Sequence, residues 1–594
     1  MAKERLVVGP VLSFRGIGPK GEWQVTALVG VPDDGVPLPT LEVQGQKCPA
    51  PTELLTHKKV KYLRYNLSCV LQAQERKVSY GLVGGPSWSF TVPGQDSAPR
   101  LAYVSCNGFS DPSGMRKLVR PANAVWEDLL ANHDRTTRDT GVRLDREQLW
   151  HEKEIHDKGL QRFHLLLMGG DQIYFDSIWE DIPTLRDWVS LSRKEQLDFK
   201  VSARLEQDIE NYYFGLYGQR WLHPNRHPWS DGKTVSRDAA DAMARVPTIM
   251  MWDDHDIFDG WGSYSEPMQS TPLFQALFKY ARKAFWVFQM QHAIEDLPDL
   301  KYSSAANVSR KDPLFDPIDW AAHKKTDPLA LPLLRDQPGF SSVFQIGVLA
   351  IVVGDLRTER SRTQVLGNDT WNALKKWMLG SPNKNTDAAE HLSEECQHLI
   401  FMSSVPVAHP KLTLAEGLLD AFGQDHVLDS NADDLKDHWS HDDHEGERKR
   451  LLETLGQVAK SKKLRVAFVS GDVHVAALGS VYRRDIPPTA NWAQILQFTS
   501  SAVVHPSLMG VAERLFLFML NNTAGKPQNI DVQHTVEMLL FPGYNKYVMP
   551  ARNWLALELD PGLEVKEKRL WATWRCETET GFSNHIQAVQ PFQA

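Results

Sequence analysis

Short apolar runs recur along the middle and end of the chain, and each stops at polar or acidic residues. Val246–Met251 ends in Trp252-Asp253-Asp254-His255-Asp256. Phe163–Met168 ends in Gly169-Gly170-Asp171-Gln172-Ile173-Tyr174-Phe175-Asp176, and Leu464–Ser470 in Gly471-Asp472-Val473-His474. Leu101–Val104 runs into Ser105-Cys106-Asn107, Val343–Gly354 into Asp355-Leu356-Arg357, and His398–Met402 into Ser403-Ser404. Gln494–Ser501 is a further run of this kind. Such runs predict buried strands, Val343–Gly354 as a single one. Between them the pattern predicts helices around Asn123–Asn132, Asp145–Lys158, Arg193–Trp221 (one long element), Pro272–His292, Trp371–Trp377, Arg448–Ala459 and Ser507–Asn521. The aromatic rings of Pro272–His292 read as core.

The first 97 residues differ. Trp23–Val29, Val60–Tyr65, Ser79–Val83 and Trp88–Val92 favour β-branched and aromatic residues, with Gly and Pro between them. They predict a small β-sandwich, closed by a linker at Pro93–Pro99. Two domains are therefore expected, an all-β (Ig-like) unit over 1–97 and an α/β unit over 98–594. Trp554–Leu559 and Arg569–Cys576 alternate as a terminal hairpin does. Residues 293–340 and 420–447 lack periodicity, and a lid is one reading of the first.

At 594 residues the chain exceeds one ordinary core. Its 42% hydrophobic and 24% charged content is that of a globular protein, and a net charge of -8 argues against a nucleic-acid module or a membrane-surface binder. Five scattered cysteines fit a reducing compartment better than a disulfide framework. No apolar run reaches the ~18 residues of a membrane span. Met1–Pro10 resembles neither a secretory nor a twin-arginine signal, so the expected location is cytoplasmic.

Acids crowded at strand ends repel each other unless cations neutralise them. Two metal ions ~3.5–4 Å apart bind phosphoryl oxygens and lower the pKa of a bound water, which is what a phosphate ester needs for hydrolysis. Aspartate and histidine suit such a pair; a thiolate or phenolate favours iron on one side.

Gly170-Asp171-Gln172-Ile173-Tyr174, Trp252–Asp256 and Gly471–His474 resemble the signature of the PhoD-like alkaline phosphatase/phosphodiesterase family, within the calcineurin-like metallophosphoesterases. Val104–Cys106, Asp355–Thr358, Met402–Pro406, Asp437–Trp439 and Glu447-Arg448 fit the same pattern. The resemblance covers about residues 98 to 594. It implies a four-layer αββα sandwich behind an N-terminal β-sandwich. It also implies two or more metal ions, Fe(III) with Ca2+ by preference, with Mn2+, Mg2+ or Zn2+ as alternatives. By resemblance Asp171 bridges the metals, and Asp254, Asp472 and His474 are ligands. Cys106 and Tyr174 match the family's thiolate and phenolate ligands to ferric iron. Asp253 stands between ligation and outer support, as does Asp256. His255 matches the histidine that touches phosphate and assists the leaving group, and Arg357 the cation that holds phosphate.

The chain departs from the superfamily in two places. Ser105-Cys106-Asn107 replaces Asp-x-His, and Ser403-Ser404 stands where many relatives have histidine before proline. Oxygen-rich ligands at the second metal suit calcium, magnesium or manganese better than zinc.

The expected reaction is hydrolysis of a small phosphate mono- or diester by in-line attack of a metal-bound hydroxide. Pyrophosphate, phosphonate or phosphotriester hydrolysis is an alternative, as is a non-catalytic metal-stabilised scaffold. Singly, each residue also has a plain structural role. The aspartates make helix N-caps, Cys106 and Tyr174 pack, and Arg357 pairs with an acid. Asp355 holds Arg357 or its loop, and His441 and His444 read as solvated surface.

Overall fold

Most of the apolar runs become strands of two large sheets in a mixed α/β fold. The computed structural model describes residues 5–110, 118–135, 162–223, 237–297, 327, 329–380, 391–409, 439, 441–507, 521, 524–560 and 567–594. At the centre of the first, ten-stranded sheet Leu101–Val104, Leu165–Met168 and Thr248–Met250 run parallel, with Met168 opposite both Val104 and Met250. In the second sheet Leu349–Val353, His398–Met402, Arg465–Ser470 and Gln494–Ser500 run parallel. Parallel strands place their C-terminal ends on one edge, where ligands of open α/β sheets bind.

Side chains alternate across a strand, and the second sheet uses both faces. Ile351, Val353, Ile400, Met402, Ala467 and Val469 join one apolar core with side chains of the first sheet. Their neighbours Ala350, Val352, Leu399, Phe401, Val466 and Phe468 join another, with residues of the helices Asn368–Leu379 and Glu445–Lys462. Truncating any large member to alanine costs about 2–5 kcal/mol. The rings of Pro272–Phe288 lie in the first core, Phe285 against Trp252 at 4.6 Å and Phe278 against Trp261 at 4.9 Å.

Where a self-contained β-sandwich is expected over 1–97, the strands divide. Val8–Ile17, Glu22–Pro32, Thr52–His57 and Val60–Val70 extend the ten-stranded sheet, and Ser13 pairs in parallel with Thr248. Leu41–Val43, Gln46–Lys47, Arg76–Leu82 and Ser87–Val92 form a separate four-stranded sheet. Alternation alone predicts a strand without naming its neighbour, which here lies more than two hundred residues away.

The expected single helix Arg193–Trp221 is two, Arg193–Leu197 and Ala203–Arg220. Ser192 and Glu195 form a capping box, and the Ser202 hydroxyl accepts from the Leu205 amide at 3.1 Å, so a second start is written into the sequence. The single strand expected at Val343–Gly354 is a hairpin of Ser342–Ile346 and Leu349–Val353. It turns at Gly347, whose φ of +56° favours glycine. The terminal hairpin forms as expected, Trp554 opposite Arg575. The helix patterns at Asp145–Lys158 and, apart from its two ends, Ser507–Asn521 lie outside the described residues. So does most of the two aperiodic segments. Among the described residues no helix is long and apolar enough to cross a membrane.

Candidate metal centre

The ends of the two sets of parallel strands converge, tied by backbone bonds between sheets. The Val503 amide donates to the Ser105 carbonyl at 3.0 Å, and the Ser105 hydroxyl to the Ser500 carbonyl at 3.1 Å. Within the first sheet the Asn107 amide donates to the Asp171 carbonyl at 2.8 Å. Four side chains expected as ligands lie on left-handed backbone: Cys106 at φ +55°, Asp171 at +56°, Asp472 at +70° and His474 at +52°. Each such conformation costs on the order of 1 kcal/mol, and strain of this kind concentrates at functional sites. Gly170 allows the approach, since a Cβ there would stand 2.6 Å from the Asp253 Cβ.

Donor atoms of Asp171, Asp254 and His255 lie within 4.8 Å of one another, and so do those of Asp253, Asp254 and Asp472. Asp254 belongs to both groups, which gives two adjoining places for a cation. The resemblance gave the shared role to Asp171. Asp171 is buried, with an Oδ1 that meets no hydrogen-bond donor among the described residues. Burial, then Asp253, Asp254 and Asp256, raise its pKa well above the usual carboxylate range against the pull of His255. A bound cation reverses that tendency. The Cys106 thiol donates to Asp171 Oδ2 at 3.4 Å and lies 3.0 Å from Ser501 Oγ. Among the described residues the buried Tyr174 hydroxyl also meets no oxygen or nitrogen partner. Burial, then Cys106 and Asp171, push its pKa up. Orphaned buried oxygens beside a thiol and converging carboxylates fit a metal pair.

His474 stands toward the rim, its amide donating to Ser501 Oγ at 3.2 Å. Burial, then His505 and His255, hold its imidazole well below its ordinary pKa, in the neutral form that ligation needs. His255 is oriented by Asp176, whose Oδ2 lies 2.8 Å from Nδ1. Burial lowers the His255 pKa, but Asp176, Asp254 and Asp171 together raise it well above the ordinary value.

Arg357, expected to hold phosphate, is fully buried and turned inward. It donates to Asp253, to the Trp261 carbonyl at 3.0 Å and to Asp254 Oδ1 at 3.3 Å. A guanidinium between two converging acids fixes their carboxylates in place. Asp355 holds the loop, accepting from Trp252 Nε1 at 2.8 Å and the Arg357 amide at 3.0 Å. Asp256 accepts from the amides of Gln172, Ile173 and Asp253 at 3.0–3.3 Å and from Gln289 Nε2 at 3.0 Å, so it ties the loop that follows Asp171 to the one that carries Asp253. Burial, against these hydrogen bonds, pushes its pKa up to about 7. His444, at the start of Glu445–Lys462, is buried rather than solvated. Asp437 and His438 lie outside the described residues.

Three contributors escaped the sequence reading. Asp176 closes the stretch that opens with Asp171, and only the fold turns it toward His255. Ser501 and His505 follow the Gln494–Ser500 strand, and the position of Ser501 at a strand end was the available signal.

The family described as PhoD related phosphatase matches residues 120–305 and 414–531, together just over half of the chain. An uncharacterized protein of Saccharomyces cerevisiae, YGR266W, is 25% identical over 462 residues, which cover 72% of this chain. The chain spans 57% of that relative's length. With strand ends, acid cluster and family match in agreement, the chain belongs to the PhoD related phosphatases.

Proposed function

We propose that this chain is a metal-dependent phosphoesterase acting on small phosphate mono- or diesters. The observation that carries the reading is the pair of donor groups sharing Asp254, beside the orphaned oxygens of Asp171 and Tyr174. Asp171, Asp253, Asp254, Asp472, His474, Cys106 and Tyr174 are the residues to hold the ions. The thiol–phenol side suits iron and the carboxylate side calcium, magnesium or manganese. Bound metal supplies charge neutralisation at the phosphoryl oxygens and a more acidic water.

The chain's own residues do the rest. Asp176 keeps His255 charged and aimed, so its Nε2 holds a proton for the departing ester oxygen. Arg357 fixes Asp253 and Asp254 rather than touching substrate. The second sheet's two-faced core supports the αββα layering of metallophosphoesterases.

The test is hydrolysis of p-nitrophenyl phosphate and its bis ester before chelation, after it, and after metal add-back. Turnover that vanishes and returns supports the reading. Metal-replete protein that cleaves neither ester, or turnover indifferent to chelation, sinks it.

A further inference from the structure

Four rings stand in file along one wall of the centre. His255 stacks on Tyr174 with centroids 4.3 Å apart, Tyr174 on His505 at 5.8 Å, and His505 on His474 at 3.7 Å. The last two pairs are within 18° and 19° of parallel. His505 thus lies between two expected ligands that come from different sheets. Tyr174 follows Leu165–Met168 of the first, and His474 follows Arg465–Ser470 of the second.

Tyr174 needs such a neighbour. Among the described residues its hydroxyl meets no oxygen or nitrogen partner, so ring packing and the Cys106 thiol beside it set its direction. Gly108 closes one edge, where a Cβ would stand 2.5 Å from Tyr174 Cδ2, and His255 and His505 hold the two faces. His505 is itself fixed at backbone and ring. Its amide donates to the Cys106 carbonyl at 3.2 Å, and its Nδ1 lies 3.0 Å from the Pro506 carbonyl. That contact places the ring proton on Nδ1. Nε2 lies 3.5 Å from Ser110 Oγ.

We propose that His505 is a positioning residue whose ring, stacked between Tyr174 and His474, sets the spacing of the donors contributed by the two sheets. The proposal rests on the metal-centre reading above. It assigns the effect to the ring face, which separates it from a role for the imidazole nitrogens.

The experiment titrates Mn2+ into chelator-stripped, full-length protein by calorimetry. It compares wild type with His505→Phe, His505→Asn and His505→Ala, and follows turnover of the bis ester separately. Phenylalanine keeps the stacking face and loses the hydrogen bonds; asparagine does the reverse. The expected result is Mn2+ affinity within about threefold of wild type for His505→Phe, and a loss of about 10–100-fold for His505→Asn and His505→Ala. Thermal midpoints report folding, and if His505→Ala fails to fold, the Phe–Asn contrast decides. Equal losses in Phe and Ala, affinity retained by Asn, or unchanged affinity in every variant overturns the proposal. Wild type that binds no Mn2+ overturns it too. Wild type that binds Mn2+ but cleaves no ester defeats the functional reading, while the binding series still judges the stack.

Discussion

Two clusters of buried acids in this molecule are built on opposite principles. Near the terminal hairpin three acids face arginines. Asp128 takes Arg575 at 2.6 and 3.1 Å, Glu577 takes Arg552 at 2.6 and 2.9 Å, and Asp560 takes Arg569 at 2.9 Å. At the strand ends Asp171, Asp253, Asp254 and Asp472 converge on one another, with Arg357 shared by Asp253 and Asp254, and among the described residues Asp171 keeps an oxygen that meets no donor. The pKa shifts of Asp560 and Asp171 run in opposite directions. Burial raises Asp560, but its hydrogen bonds to Arg569 and Trp571 bring it below its usual value. Burial raises Asp171, and its acidic neighbours raise it further. Acids paired one to one with arginines stabilise the fold; four acids gathered where Arg357 serves Asp253 and Asp254 together, with Asp171 and Asp472 on left-handed backbone, are arranged for further positive charge. A third arrangement is Glu359, which accepts from Thr370 Oγ1 at 2.5 Å and is pushed by burial up to about 7.

Exchanging acid for amide in the clusters separates these cases. The largest effect belongs to Asp171→Asn. Metal-dependent turnover falls at least about 10³-fold, roughly 4 kcal/mol of barrier, while the chelated protein melts no lower than wild type because the amide needs no proton to sit among the other acids. Steady-state kinetics and thermal scans of the stripped protein check both halves. Asp128→Asn does the converse. It leaves Arg575 buried without its carboxylate and costs about 3 kcal/mol in urea unfolding, with kcat per folded molecule unchanged.

Glu359→Gln sharpens the contrast through pH. The folded pKa is raised from 4.5 to about 7, so the native state holds the proton longer than the unfolded chain does. Its stability contribution is full below pH 4.5 and is lost as pH rises through about 7. Unfolding free energies across pH 4–8 are therefore expected to fall less steeply in Glu359→Gln, with about 2–3 kcal/mol more stability than wild type at pH 8. A parallel pH profile contradicts this. The smallest effect is Asp176→Asn, which leaves metal content intact and lowers kcat about 10–100-fold by freeing His255. Metal loss in that variant would instead make Asp176 part of the binding shell.

The strand ends were legible because buried parallel strands are apolar throughout and stop abruptly, so Asp171, Asp254 and Asp472 announce themselves. The family resemblance supplied Cys106 and Tyr174, which no spacing rule marks. Partner choice was not legible. Alternation showed Val8–Ile17 to be a strand but not that it joins the Thr248–Met250 strand. Nor did local pattern tell whether Arg357 faces a ligand or Asp253; that depends on a chain reversal about a hundred residues long. His505 was missed for the same reason, since its stacking partners His474 and Tyr174 are 31 and 331 residues away in sequence.

The central claim is that the strand-end acids are a cation site. Its most direct test is the thermal midpoint of stripped wild type and Asp171→Asn, each scanned with and without saturating Mn2+, alongside metal content by elemental analysis. Mn2+ is expected to raise the wild-type midpoint, by about 2.7 kcal/mol in stability at one hundred times Kd, and to leave Asp171→Asn nearly unmoved. Equal shifts in both proteins, or no shift in either with no retained metal, would contradict it.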